Sequence, residues 1–380
     1  MNDRDLHAHL IGQQGGRKSF NTPVLVIDLD MLERNIAAMA AFAKQRGIAL
    51  RPHAKTHKSA DIAQKQVAAG AVGVCCAKLG EAEAMADGGV EGILITSPVV
   101  SAPAIARLML LNARVPDLRV TVDNATNVAA LDAAAKAAGK PLQVLIDIDP
   151  GIRRTGVPSP EVAVEVGQSI LAAQSLRYLG VQYYCGREQH VESYAERRAA
   201  IEDRTAYLGE VIAALTAIGM APPVITGGGT GTHRIDADLG VFNELQVGSY
   251  VFMDRQYNEC DLTGAGVTQQ PYETSLQIDA RVVSANTPGL ATLDAGFKAM
   301  ATDGGPPSIL SGAPAGAPFH FMGDEHGLIV SGDQKVAIGD IVTLAVPHCD
   351  PTVNLYDFYH VVRGDTLVDI WNVQARGRSR

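Results

Sequence analysis

Leu50-Arg51-Pro52-His53-Ala54-Lys55-Thr56-His57-Lys58 joins a short apolar run, Ile48-Ala49-Leu50, to a helical pattern from about Ala60 to Ala69 that Gly70 ends. Strand, polar turn and helix in that order make one βα unit. The turn sets two His and two Lys within six positions just past a Pro. A Lys attacks an aldehyde only as its neutral amine, and its unperturbed pKa is about 10.4. Nearby cations and burial lower that value. Arg51, Lys58 and the two His are neighbours of that kind. Lys55 is therefore a candidate to carry an aldehyde cofactor, pyridoxal phosphate, as a Schiff base. The competing reading is a basic, solvated turn at a strand end.

The same unit recurs along the chain. Val24-Leu25-Val26-Ile27 precedes a helical pattern from Asp28 to Arg46, with Leu32, Ile36, Met39, Ala40 and Ala43 at steps of three and four. Apolar runs at 72–75, 92–95, 118–122, 142–148 and 178–184 are each followed by a helical pattern, the longest from about Ser193 to Ile218, and Pro223-Val224-Ile225-Thr226 supplies an eighth strand. Eight short strands alternating with helices predict parallel βα units, and eight closes a (β/α)8 barrel. A doubly wound open sheet is the alternative. The barrel is favoured because polar residues follow many different strands, and a barrel gathers all those strand ends at one mouth. After about Gly264 the text turns to short alternating runs split by Gly, Pro and Asp, the pattern of an all-β domain, with a Gly-, Pro- and Ala-rich loop expected over 304–318. The expected division is a barrel over 22–264 and a β domain over 265–380, joined by the N-terminal arm 1–21.

Composition bounds the function. Hydrophobic residues are 47% and charged residues 19% of a chain of net charge −9. That describes a globular protein and argues against a nucleic-acid binder that neutralises phosphates. No apolar run of about 18 residues predicts a membrane span, and residues 1–20 lack the apolar core of a secretory signal. Five Cys, two of them adjacent, fit buried thiols in a reducing cytoplasm.

Several stretches carry chemistry. Thr226-Gly227-Gly228-Gly229-Thr230-Gly231 follows the eighth strand, where backbone N–H groups and the Thr230 hydroxyl suit a phosphate. Arg154, in Asp149-Pro150-Gly151-Ile152-Arg153-Arg154-Thr155-Gly156, can contact the cofactor ring; a solvated surface turn is the other reading. Tyr184 can flank a flat ring, and His190 is a candidate acid/base because His titrates near neutrality. His348 and Asp350 are two apart, so on an extended strand both face one side and can hold Mn²⁺, Mg²⁺ or Zn²⁺ with positions left open; a hydrogen-bonded His–Asp pair competes with that. Asp324-Glu325-His326-Gly327 is a further polar cluster.

With Arg154-Thr155-Gly156-Val157 and Glu244-Leu245-Gln246-Val247-Gly248-Ser249-Tyr250, these motifs make the chain resemble the metal-activated D-threonine aldolase and D-3-hydroxyaspartate aldolase group from Thr22-Pro23 to about Arg376. The group consists of pyridoxal-phosphate enzymes with an alanine-racemase-like, fold-type III barrel. The resemblance implies that Lys55 is the Schiff-base lysine and His190 the base. It places Arg154 and Tyr184 against the cofactor, Gly228, Gly229 and Thr230 around its phosphate, and His348 and Asp350 on a divalent metal, Mn²⁺ or Mg²⁺ before Zn²⁺. It implies a cytoplasmic homodimer that cleaves a D-3-hydroxy-amino acid, of the D-threonine or D-3-hydroxyaspartate type, to glycine and an aldehyde. The related D-serine dehydratases place a Cys two after the metal His, where this chain has Asp350. Tyr183, Cys185 and Arg187-Glu188 depart from the aldolase pattern, which bears on the substrate's side chain. Dehydration of the same amino acids is the alternative reaction; a non-catalytic cofactor carrier and a racemase are more distant readings.

Overall fold

The computed structural model describes residues 1–380. After a first strand, β1 (Val24–Asp28), come eight parallel strands: β2 (Ala49–Leu50), β3 (Val74–Cys76), β4 (Ile93–Ile95), β5 (Arg119–Val122), β6 (Leu142–Ile148), β7 (Leu176–Tyr183), β8 (Val224–Gly227) and β9 (Glu244–Leu245). They pair in the order β2-β9-β8-β7-β6-β5-β4-β3. The ring closes just past β2. His53 stands opposite Cys75, the Ala54 N–H donates to the Cys75 carbonyl at 2.7 Å, and the Cys75 N–H donates to the Pro52 carbonyl at 2.8 Å. The Lys55 turn therefore begins where the barrel is sewn shut.

Helices cover the barrel's outside. Helix Leu29–Arg46 starts because the Asp28 carboxylate accepts the Met31 N–H at 3.0 Å, and it ends at Gly47. Leu32, Ile36, Met39 and Ala43 are its buried stripe. Helix Tyr194–Ala217 matches the longest expected helical run. Inside the N-terminal end of the barrel, Arg51 is 1% exposed and holds Glu244 at 3.1 Å, with Arg119 3.7 Å from the other carboxylate oxygen. Gly73 makes room for it: a Cβ there, at φ +140, would lie 1.9 Å from the Gly92 carbonyl and 2.6 Å from Arg51 Nη1.

One of the eight expected barrel strands, Val24–Ile27, is not in the barrel. β1 leaves the barrel and β9 takes the place. β1 lies in a second sheet, antiparallel to β10 (Leu276–Ser284) and parallel to β16 (Phe358–Arg363). Its Val24, Leu25, Val26 and Ile27 are all buried. A strand apolar on both faces satisfies either sheet, so hydrophobicity alone could not choose, and β9 is too short to show periodicity. The second sheet adds β11 (Leu290–Leu293), β12 (Ser308–Ser311), β13 (Phe319–Phe321), β14 (Gly327–Val330), β15 (Ile341–Ala345) and β17 (Thr366–Asn372). β12 lies within the expected 304–318 loop and pairs with β15. The arm packs on this sheet: the Gly12 N–H donates to the Leu367 carbonyl at 2.9 Å, and Arg17 holds Asp279 at 2.7 Å. All five cysteines are free and buried, and no helix is long and apolar enough to cross a membrane.

His7 and His360 pin the arm to the sheet. Both are fully buried. His7 Nε2 accepts the Asn21 N–H at 2.8 Å, which leaves its Nδ1 to donate to His360 Nε2 at 2.8 Å; His360 Nδ1 then donates to the Leu25 carbonyl at 3.3 Å. Each ring is held neutral. Burial, reinforced by His7, pushes His360 down to about 4. Burial likewise takes His57 to about 4 and His233 to about 3. The unfolded chain binds protons at these rings from its ordinary value of 6.5 downward, before the folded chain does. The contribution is present above pH 6.5 and lost as pH falls through about 4. Denaturant titrations should show unfolding free energy falling steadily over that window, with a shallower slope in His360→Asn.

Candidate active site

Residues just past the ends of all eight barrel strands line the mouth. A cavity of about 550 Å³ opens there, bordered among others by His53, Lys55, Lys78, Arg154, Tyr184 and Gln246. A narrow cleft continues from it between Lys55, Tyr184, Gly229, Thr230, Gly248 and Ser249. Strand ends from around the whole ring thus meet at one place, as a closed barrel requires.

Lys55 is half-buried and its ammonium is ion-paired with Asp350, which arrives from the second sheet's domain. The Thr56 hydroxyl donates to the other Asp350 oxygen at 3.2 Å. Burial pushes the Lys55 ammonium down, but the adjacent carboxylate outweighs it and holds the pKa above the usual lysine value. Burial raises Asp350, and the Lys55 charge more than reverses that, leaving it at about 2. This corrects the expectation that neighbouring cations depress Lys55. Arg51 points into the barrel toward Glu244, and Lys58 is paired with Glu81 at 2.5 Å. His57 is buried, and its Nδ1 accepts the Ser59 N–H at 3.2 Å. Residues adjacent in sequence put those charges on different faces of the turn. Only His53 shares the cavity with Lys55, its Nε2 3.2 Å from the Thr96 hydroxyl and its burial pushing it well below the ordinary value.

His348 and Asp350 do not lie on an extended strand. His348 is the N-cap, and Asp350 sits in the first turn, of a short helix, Cys349–Val353. A helix turns i and i+2 apart, so the two reach different partners: Asp350 takes Lys55, and His348 Nδ1 is 2.8 Å from Asp303. Cys349 points away, as expected, with its N–H and Sγ on Asp254 Oδ2 at 2.9 and 3.0 Å. No group of three His, Cys, Asp or Glu side chains is arranged to hold a metal ion.

His190 ends a short 3₁₀ turn, Glu188–His190, and packs against Tyr257 with ring centroids 4.4 Å apart and the planes tilted by 42°. Burial, then the nearby His348, lowers it to about 4; Asp350 and Lys55 also act on it. It is a neutral base at pH 7. Its Nδ1 is buried without a partner, which leaves Nε2 as the nitrogen open to a ligand. Arg154 lies over the Tyr184 ring, 5.7 Å from its centroid, and burial raises the Tyr184 phenol.

In the Gly loop, Gly229 and Thr230 face the cleft. The Thr230 hydroxyl accepts the Tyr250 N–H at 2.9 Å, while its own N–H has no protein acceptor. Gly228 stands behind, at φ +69, where a Cβ would lie 2.5 Å from Asp236 Oδ2; it shapes the turn. Sequence reasoning missed Thr56, Asp303, Ser249 and Tyr257 at the site. Thr56 belongs to the Lys55 stretch and Ser249 to the motif Glu244-Leu245-Gln246-Val247-Gly248-Ser249-Tyr250; Asp303 and Tyr257 had no local signal.

Comparison with known proteins agrees with this geometry. Residues 27–256 match the family "Alanine racemase, N-terminal domain", and residues 275–362 match a serine dehydratase domain. A 3-hydroxy-D-aspartate aldolase from Paracoccus denitrificans (strain Pd 1222) is 40% identical over 94% of this chain and 92% of its own. The crystal structure of D-threonine aldolase from Filomicrobium marinum superposes with a TM-score of 0.89 at 38% identity, covering 96% of this chain and 97% of that one. A D-threo-3-hydroxyaspartate dehydratase from Delftia sp. (strain HT23) is more distant, 28% identical over 93% of this chain and 97% of its own. Fold, mouth geometry and full-length similarity together place the chain in the D-threonine aldolase and 3-hydroxy-D-aspartate aldolase family of alanine-racemase-like, pyridoxal-phosphate-dependent lyases.

Proposed function

We propose that the protein is a pyridoxal-phosphate- and divalent-metal-dependent aldolase, with Lys55, His190, His348 and Asp350 as its working residues. The observation that carries this is their convergence: a barrel lysine and a carboxylate of the second domain touch within the electrostatic reach of His190 and His348. The donor set fits the cofactor. Lys55 stands at one end of the cleft, Tyr184 and Arg154 beside it, and the Thr230 N–H with the Ser249 hydroxyl at the other end for a phosphate. It also fits a cation with few protein ligands, through His348 Nε2 and Asp350, since Asp303 occupies His348 Nδ1. Gly228 contributes the turn that presents Gly229 and Thr230.

When bound, pyridoxal phosphate supplies an electron sink at Cα and the metal a Lewis acid at the β-hydroxyl. The chain's own residues do the rest. Lys55 yields its place to the substrate amine. Neutral His190 takes the β-hydroxyl proton through Nε2. The Cα–Cβ bond opens, its electron pair stays at Cα, an aldehyde leaves, and a proton returned to Cα gives glycine. The Tyr257 and Tyr184 rings line the cleft beside Lys55. Asp350, where the dehydratases carry Cys, supports carbon–carbon cleavage over loss of water. The reading extends to a cytoplasmic homodimer; the free, buried thiols support that compartment.

Three outcomes test this. Incubation with D-threonine or D-3-hydroxyaspartate should yield glycine with an aldehyde; ammonia with a keto acid would sink the aldolase reading. Lys55→Ala should lose the cofactor's visible absorbance, while His190→Asn should keep it and make glycine about 10²–10⁴-fold more slowly. Calorimetric titration of Mn²⁺ should show His348→Ala abolishing tight binding and Asp303→Asn weakening it about 10–100-fold.

A further inference from the structure

The family's substrates differ at the group on Cβ, and overall identity, 40% to one relative and 38% to the other, does not choose between them. The cavity wall does. Lys78 follows β3 at the N-cap of helix Leu79–Asp87. It lines the cavity together with Lys55, and the Ser97 hydroxyl lines the same wall. Both residues also border an adjoining groove that ends at Ser379 and Arg380, where the Gly80 N–H holds the Arg380 carbonyl at 2.8 Å.

The other cations lining the cavity already have a charged partner or, for Arg154, a place beside the cofactor in the reading above. Lys55 is paired with Asp350, and Lys58 with Glu81, whose second oxygen takes the Ala77 N–H at 2.7 Å. Arg154 lies on Tyr184. The one acid lining the cavity, Asp123, accepts the Gly156 N–H at 2.9 Å. Lys78, exposed at the mouth, and the half-buried Ser97 hydroxyl both line the cavity and have no protein partner. A carboxylate that enters the cavity beside them gains an ammonium partner and a hydroxyl donor. A methyl group facing an ammonium gains nothing in return.

We infer that Lys78, with the Ser97 hydroxyl, binds a carboxylate carried on the substrate's β-carbon and selects 3-hydroxyaspartate-type substrates over threonine. This rests on the aldolase reading above and names its substrate class. An ammonium–carboxylate contact at the exposed mouth, with an added hydroxyl donor, discriminates by about threefold or more.

The test uses the holoenzyme, Lys78→Met and Lys78→Arg, with glycine formation followed on D-threo-3-hydroxyaspartate and D-threonine. The ratio of kcat/KM for the acidic over the neutral substrate should fall about threefold or more in Lys78→Met, through KM, and largely return in Lys78→Arg. D-aspartate and D-2-aminobutyrate, which lack the β-hydroxyl and cannot be cleaved, give the binding arm. Followed by cofactor absorbance, the ratio of their dissociation constants should shift by the same factor. An unchanged ratio in both arms, with the wild type still forming glycine, overturns the Lys78 assignment alone. A wild type that forms glycine from neither substrate overturns the aldolase reading and this inference with it.

Discussion

A lysine from the barrel and a carboxylate from the neighbouring domain meet over the barrel mouth, and the rest of the site is arranged around that contact. The Asp350 helix is held from below: Asp254, fully buried, takes both the N–H and the thiol of Cys349. The Lys55 turn is held from the other side, where the Tyr359 hydroxyl donates to the His57 carbonyl at 2.6 Å and the Ala375 N–H to the Lys58 carbonyl at 3.0 Å. Each domain fixes the backbone on which the other's charged group depends. In a site largely screened from water, such fixed dipoles cost no rearrangement when charge develops.

The mouth is also electrically divided. Asp350 and the neutral His190 lie toward the second domain, while Lys78 and Arg154 lie toward the barrel. His190 owes its neutrality to burial beside Tyr257 and to the neighbouring His348. Asp303 performs the orienting task for His348 instead. Two histidines of one mouth thus receive different environments, which under the proposed function would separate proton transfer from ligation.

Much of this is readable from the chain. Periodicity and Gly stops locate the helices, and the order of strands and helices implies a barrel. The motif residues Lys55, Tyr184, Thr230 and Asp350 do meet. What cannot be read is instructive. The charges flanking Lys55 sit close in sequence, yet Arg51 dives to Glu244 and Lys58 to Glu81, because a turn sends successive side chains to different faces. The spacing of His348 and Asp350 suggests a strand, but a helix cap also places residues two apart, and Pro351 sits comfortably in such a first turn. Asp303 lies in a Gly- and Pro-rich stretch without pattern, so only the folded chain brings it to His348. β1 belongs to a different sheet from the one its position suggests, because a strand buried on both faces carries no mark of its partners.

That strand has a consequence for how the molecule is made. β1 leaves the ribosome ahead of the barrel strands, yet it belongs between β10 and β16, which emerge only after the whole barrel has been translated. Until Leu276 and the residues beyond it exist, an apolar ribbon with unpaired edges has nowhere to dock. The barrel can close without it, since β9 completes the ring. The nascent chain therefore carries a finished cylinder with a sticky leader strand, and cutting the gene between the two domains would strand that leader rather than liberate two independent folding units.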